Sequence, residues 1–369
     1  MTRRHKRTLR TGFTTGAAAA AAAKAALQLL LDDAPPGAVE ISFLNGGTRT
    51  IPVHGCRREA ADTAVCSIIK DAGDDPDITH RAEIGARVTR QDTGPAVDVV
   101  ITGGAGVGRV TKPGLEIPPG EPAINRGPQI MIRQEIRDCF AARNQSGTVR
   151  VEVFVPRGAE LAEKTLNARR GILGGLSILG TTGIERPMSH EAYVATIASS
   201  LSVASAAGCR RVVFSTGRRS ERFAQARWPE LPVESYIQIG DFFERSLRLA
   251  VQQGLAQVML AVFFGKAVKM AQGFAHTHAA KSSLSLPVLA DWTRAATGDS
   301  GVAEKIRRAN TARQAFEYIR ESCPEMLAHV GNRVLACARQ FAGGHMEMGC
   351  VVFDYMGNAV FEQEALPER

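Results

Sequence analysis

Three short segments in the second half of the chain carry residue types suited to anion and nucleoside chemistry. Thr216-Gly217-Arg218-Arg219-Ser220 offers a glycine for close approach, two guanidinium forks and a hydroxyl. At a helix start such a set suits a carboxylate or phosphate, because backbone N–H groups and guanidinium forks converge there. An ordinary strand-to-helix turn with surface arginines uses the same residues. Gly240-Asp241 places a carboxylate where nucleoside sites often hold a ribose hydroxyl, although Asp241 equally suits the cap of a following helix. Gly265 to His278 packs Lys266, Lys269, His276 and His278 into one short stretch. On an extended strand His276 and His278 share a face, but no carboxylate or cysteine at ligand spacing completes a metal set. A general base, or a donor to a substrate carboxylate, is the better reading of these histidines.

The first half has its own set. Thr11-Gly12-Phe13-Thr14-Thr15-Gly16 is a Gly/Thr loop ahead of an alanine run, able to cradle an anion on backbone N–H groups; no Gly-Lys-Ser/Thr follows, so it is not a Walker loop. Gly103 to Gly108 is glycine-rich without a βαβ unit before it. Thr111-Lys112-Pro113-Gly114-Leu115 and Gly120-Glu121-Pro122-Ala123-Ile124-Asn125 are polar turns, and Gly171 to Gly183 sets glycines, Ser177, Thr181 and Thr182 among apolar residues. That glycine density fits backbone approaching a ligand or a tightly packed junction.

The elements that must position these residues differ between the halves. Before about residue 188 the pattern is mixed: a helix capped at Thr14 or Thr15 and running through Leu31, and a hairpin of 39–43 with 50–53 about Asn45-Gly46-Gly47. Strands follow at 63–69, 82–89, 97–101 and 149–155, with a helix over 128–142. From Ser189 helices alternate with short apolar strands at 211–215, 235–239 and 257–263, each ending in one of the three loops above. Strand–turn–helix repeated in this way gives a small parallel sheet. Helices over 291–296, 302–319 and 326–341 and a strand at 350–355 complete the half. The expected division is therefore 1–188 and 189–369.

Length and composition agree with two globular domains. The chain has 369 residues, 44% hydrophobic and 22% charged, near the averages for folded domains, and no window is apolar enough for a membrane span. The basic N-terminus followed by alanines is a poor signal peptide, which points to the cytoplasm. Seven cysteines without a C-x-x-C pair suggest reduced thiols. A net charge of +8 favours an anionic partner.

Several of these segments together resemble one family. Leu9 to Gly16, Val110 to Leu115, Gly120 to Asn125, Gly175 to Gly183 and Gly265 to His278 are similar, in order and over most of the chain, to the cobalt-precorrin-5B C1-methyltransferases, the CbiD family. The Thr216–Ser220 loop departs from the family pattern, and the tail after about residue 300 carries no matching motif. The resemblance implies methyl transfer from S-adenosylmethionine to a ring carbon of cobalt-precorrin-5B in anaerobic cobalamin synthesis, with cobalt arriving on the substrate and no metal held by the protein. It also implies an α+β N-terminal domain followed by a Rossmann-like one. On that reading Gly217, Ser220, Gly240, Asp241 and Gly265 face the nucleoside. Thr14, Thr15, Lys112, Asn125, Ser177, Thr181, Thr182, Arg218, Arg219 and Lys266 face the polycarboxylate macrocycle. His278, Glu121 or Asp241 accepts the proton that the reaction releases.

Other readings keep some of the features. A methyltransferase for a different corrin intermediate shares the charge and cofactor logic. Phosphoryl transfer lacks a Mg²⁺-binding acidic pair beside any glycine loop. A nucleotide- or nucleic-acid-binding protein would account for the charge, but aromatic content is 6% and aromatics are not interleaved with basic residues. Nothing in the sequence sets the oligomeric state.

Overall fold

The structure is a computed structural model describing residues 9–91, 94, 96–278 and 286–365. The chain divides into two compact units, Met1–Ser189 and His190–Arg369.

In the first unit, helix α1 (Thr15–Asp32) starts where Thr14 Oγ1 accepts from the Ala17 N–H at 3.2 Å and stops at Asp33, whose left-handed backbone lets its N–H reach Leu29 O. Ala17 to Ala23 are wholly buried. Their single methyls let the helix lie close against both a sheet and a second helix. The hairpin Ala38–Ser42 with Thr48–Pro52 follows. The sheet comprises β1 (Gly55–Ala60), β2 (Thr63–Ile69), β3 (Glu83–Gln91), β4 (Val97–Gly103) and β5 (Gly147–Phe154), in the order β1-β2-β3-β5-β4. All neighbours are antiparallel except β4 and β5. That parallel pair needs a long crossover, and helix α2 (Arg126–Ala141) lies within it. Alternate residues Ile84, Ala86, Val88 and Val149, Val151, Val153 join the core with α1 and α2, as period-two strands with one covered face require. A buried ion pair stitches the layers: Lys24 of α1 donates to Glu135 of α2 at 2.7 Å, and Glu135 also accepts from the Ser42 N–H of the hairpin.

The second unit begins with helix α3 (His190–Ala206). Then β6 (Arg211–Ser215) leads to α4 (Arg218–Arg227), β7 (Tyr236–Gln238) to α5 (Phe243–Gln252), and β8 (Gln257–Phe263) directly to α6 (Phe264–Ala271). Helices α7 (Leu286–Thr297), α8 (Ser300–Arg307), α9 (Ala312–Ser322) and α10 (Glu325–Ala342) precede β9 (Glu347–Phe353) and β10 (Ala359–Gln363). The sheet order is β7-β6-β8-β9-β10, parallel throughout except for β10.

The structure departs from the pattern expected from sequence in several elements, among them the following. The helix expected over 302–319 is two, because Thr311 caps a new start by accepting from the Gln314 N–H. Strands β1 and β10, with mostly exposed or half-buried faces, were not anticipated. His276 and His278 lie on irregular chain and share no strand. Among the described residues no helix is long and apolar enough to cross a membrane.

Candidate active site

Strands β7, β6, β8 and β9 run the same way, so their carboxyl ends lie together with the starts of α4, α5 and α6. Helix α4 and the Trp228 that ends it cover one face of the sheet, with Phe223, Ala224 and Trp228 against Val213, Met259 and Val351. Helices α5, α6 and α10 cover the other. The connections leaving the adjacent strands β6 and β8 therefore part to opposite faces, and such a divergence is where open α/β sheets take ligands.

At the end of β7, Gly240 adopts φ 55° and Asp241 follows. The Asp241 side chain does not cap α5, whose N-cap position is Phe242. Instead Asp241 Oδ1 accepts from Lys266 Nζ and from Thr277 Oγ1, the latter at 3.0 Å. The wholly buried Thr277 is held on every side: its N–H donates to Asp241 O at 2.9 Å, and its carbonyl accepts from Lys269 Nζ at 3.1 Å and Lys266 Nζ at 3.3 Å. Burial would push the Asp241 carboxyl up, but the Lys266 ammonium, the Thr277 hydroxyl and His276 outweigh it and hold it below the usual carboxylate range. Burial and the neighbouring Lys266 charge push the Lys269 ammonium down against the pull of Asp241. Lys269 was not singled out as a site residue. Its signal was the three-residue spacing from Lys266, which puts both ammonium groups on one helix face.

Aromatic rings pack beside this network. His276 stacks on His190 (centroids 5.3 Å, planes 18° apart) and meets Phe242 edge-on at 4.9 Å, while Tyr193 stacks on Phe242 at 5.2 Å. Burial and the Asp241 charge raise the Tyr193 hydroxyl. His190, Tyr193 and Phe242 were also missed, since nothing in local spacing links the start of α3 to the end of β7. His278 is exposed.

The remaining nucleoside-side residues are less available than expected. Ser220 is buried, and its hydroxyl donates to Gly217 O at 3.0 Å within its own turn, so it does not present a donor outward. Gly217 is extended and open on its Cβ side. Gly265 and Lys266 lie in the first turn of α6 rather than in a loop. Arg218 is exposed, while Arg219 stacks over Phe263 and donates to Tyr355 O.

In the first unit several loop glycines are packed tightly against other chain atoms, while Gly120 and Gly174 face open space. Thr14 is the α1 cap. Thr15 Oγ1 donates to Leu179 O at 3.2 Å and accepts from the Leu179 N–H at 2.9 Å. Gly180, at φ 139°, would place a Cβ 2.2 Å from Thr14 Oγ1, and Gly106, at φ 72°, would place one 1.9 Å from Val155 O. The 171–183 glycines thus include positions that serve chain-on-chain packing, the alternative reading of that stretch. Ser177 is buried with its hydroxyl toward Asn167 Oδ1 at 3.4 Å, and Asn125 Nδ2 donates to Glu116 at 2.9 Å. Thr182 Oγ1 accepts from the Ile184 N–H at 3.2 Å. Thr181 and Glu121 are exposed, and the Lys112 stem runs beside Gly171. An unforeseen group lies at the end of β2: Lys70, 1% exposed, pairs with Asp77 and with Glu185 at 3.0 Å.

Among the described residues no group of three or more His, Cys, Asp or Glu could hold a metal ion. The expectation of seven reduced thiols fails for two of them. Antiparallel register places Cys56 opposite Cys66, and the pair is disulfide-bonded. Spacing along the chain does not reveal the pair, because these residues meet across a hairpin.

Residues 2–187 match the CbiD family and residues 276–364 its C-terminal domain. The chain belongs to the CbiD family. Among CbiD relatives, the cobalt-precorrin-5B C(1)-methyltransferase of Nitratidesulfovibrio vulgaris is 44% identical over 92% of this chain and 89% of its own. The protein of the same name from Pelobacter propionicus is 42% identical over 98% of each, and that of Geobacter sulfurreducens 43% identical over 91% of this chain and 94% of its own. A crystal structure of the CbiD cobalamin biosynthesis protein from Archaeoglobus fulgidus is 24% identical over 85% of this chain and 84% of that one, with a TM-score of 0.39.

Proposed function

We infer that this chain is a cobalt-precorrin-5B C1-methyltransferase of cobalamin synthesis, using S-adenosylmethionine and working in the cytoplasm. The observation that carries this reading is sequence identity above 40% to curated enzymes of that name along nearly the whole chain. The donor supplies an electrophilic methyl on a sulfonium. The protein's part is alignment and exclusion of water.

The second unit serves as a Rossmann-like nucleoside site, and the loops of the first unit, together with exposed arginines of the second, serve the macrocycle. Support for the nucleoside site comes from Asp241. Lys266 and Thr277 engage only Oδ1, and Oδ2 takes no hydrogen bond among the described residues, so it is able to accept from a ribose hydroxyl. The carboxyl that Lys266 holds ionised is a weak base, which leaves His278 or Glu121 to take the released proton. We choose His278, because the tethered Thr277 fixes the chain beside it.

The test is anaerobic incubation of the full chain with cobalt-precorrin-5B and methyl-labelled donor, followed by mass spectrometry and NMR of the product. One labelled methyl at C1 is expected. A methyl on another ring carbon, or none with competent substrate, would overturn the assignment. His278→Gln should slow transfer without weakening donor binding.

A further inference from the structure

Two arginines at the carboxyl end of the second sheet are held in an unusual way. The Arg219 guanidinium carbon lies 5.3 Å from the Phe263 ring centre and 5.9 Å from that of Phe223. The Arg313 guanidinium carbon lies 5.1 Å from the centre of Tyr355. Phe263 ends β8 and Tyr355 follows β9, and their rings are stacked 6.2 Å apart with planes 7° from parallel. Phe316 of α9 braces Tyr355 edge-on at 5.9 Å. The turn carrying Tyr355 is itself fixed, because Asp354 Oδ1 accepts from the N–H groups of Met356, Gly357 and Asn358 at 2.7–2.8 Å. Segments remote in sequence thus build one platform of stacked rings with an exposed arginine on each side.

Stacking occupies the flat face of a guanidinium and leaves its in-plane N–H groups for other partners. Arg219 gives one N–H to Tyr355 O. Neither arginine has a carboxylate partner among the described residues, although many other arginines of this chain do, such as Arg87, Arg143 and Arg227. Cations set on ring faces, without a carboxylate contact among the described residues and beside the β6/β8 divergence, suit forked recognition of carboxylates.

We propose that Arg219 and Arg313, set on the Phe263–Tyr355 platform, form a carboxylate clamp for the acid side chains of the macrocyclic substrate. The clamp rests on the methyltransferase reading for the identity of its ligand. It assigns a role to the region after residue 300, where the sequence offered none, and it separates Arg219 and Arg313 from the Asp241 network.

The test uses the full chain and uroporphyrin, a stable porphyrin carrying carboxylates on every pyrrole, in a fluorescence titration. Saturable binding is expected for the unaltered protein, weakened about tenfold by Arg219→Met and by Arg313→Met. S-Adenosylhomocysteine affinity, read by calorimetry, should stay unchanged in both. Arg294→Met, the same charge change at an exposed position of α7, should bind uroporphyrin as the unaltered protein does. Circular dichroism and thermal melting confirm that each variant is folded, and Arg313→Lys, which keeps the charge without the planar fork, should recover only part of the affinity. Unaltered affinity in both clamp variants, an equal loss in Arg294→Met, or no uroporphyrin binding by the unaltered protein would overturn the clamp. Any of these with C1 methylation intact leaves the enzymatic assignment standing, whereas absent methylation with a working clamp refutes only that assignment.

Discussion

Asp241 illustrates how a single side chain changes meaning once its neighbours are known. In sequence it was a cap, a ribose acceptor or a base. The Lys266 and Thr277 contacts remove the first, leave the second and weaken the third. Its folded pKa lies below the ordinary 3.8, so the stabilisation it gives is fully present above that value and is lost as pH falls through the lower folded one. Asp241→Asn should therefore cost about 1–2 kcal/mol at neutral pH, and denaturant titrations should show the difference shrinking below pH 3.8. A constant difference into acid would mean that the carboxylate charge is not the cause. Gly180 gives a second check, since both its φ of 139° and the nearness of Thr14 Oγ1 oppose a side chain. Gly180→Ala should lower stability by about 1–3 kcal/mol, measured by chemical denaturation.

At the scale of elements, the strongly patterned segments were legible and the half-exposed ones were not. Strand 63–69 and strands 211–215 and 257–263 were read with their observed bounds, because each is a β-branched, apolar run between turn signals. β1 reads Gly-Cys-Arg-Arg-Glu-Ala and lacks such a run, so only its pairing with β2 makes it a strand. The site was legible loop by loop but not as a constellation: Gly240-Asp241 and Lys266 were seen and Lys269 lies three residues on along the same helix, while His190, Tyr193 and Phe242 enter through tertiary packing that local spacing does not encode. The Lys24–Glu135 pair is another such contact, joining α1, α2 and the hairpin with Glu135 only 1% exposed. Removing Lys24 strands the buried Glu135 carboxylate, so Lys24→Ala should cost about 3–5 kcal/mol. The paired change Lys24→Met with Glu135→Leu should cost less, as thermal melts of both variants will show.

Over the whole molecule, charge and thiol chemistry frame the function. A net charge of +8 suits a polyanionic substrate, and its attraction weakens with salt. The Cys56–Cys66 bond closes a short hairpin loop, and a reducing compartment would open it. Oxidised protein unfolded in denaturant should show five titratable thiols, rising to seven after reduction. Seven from the outset would show that the pair stays reduced.

The alanine helix α1 has a thermodynamic consequence of its own. A buried alanine gives up no rotamer entropy on folding, in contrast to leucine or methionine in the same place. From Ala17 to Ala23 the first unit thus buries this helix at almost no side-chain entropic cost, and its local opening gains backbone freedom but almost none from side chains. Amide hydrogens in the middle of α1 should accordingly exchange with deuterium only when the whole unit opens, making them the slowest reporters in the first half of the chain.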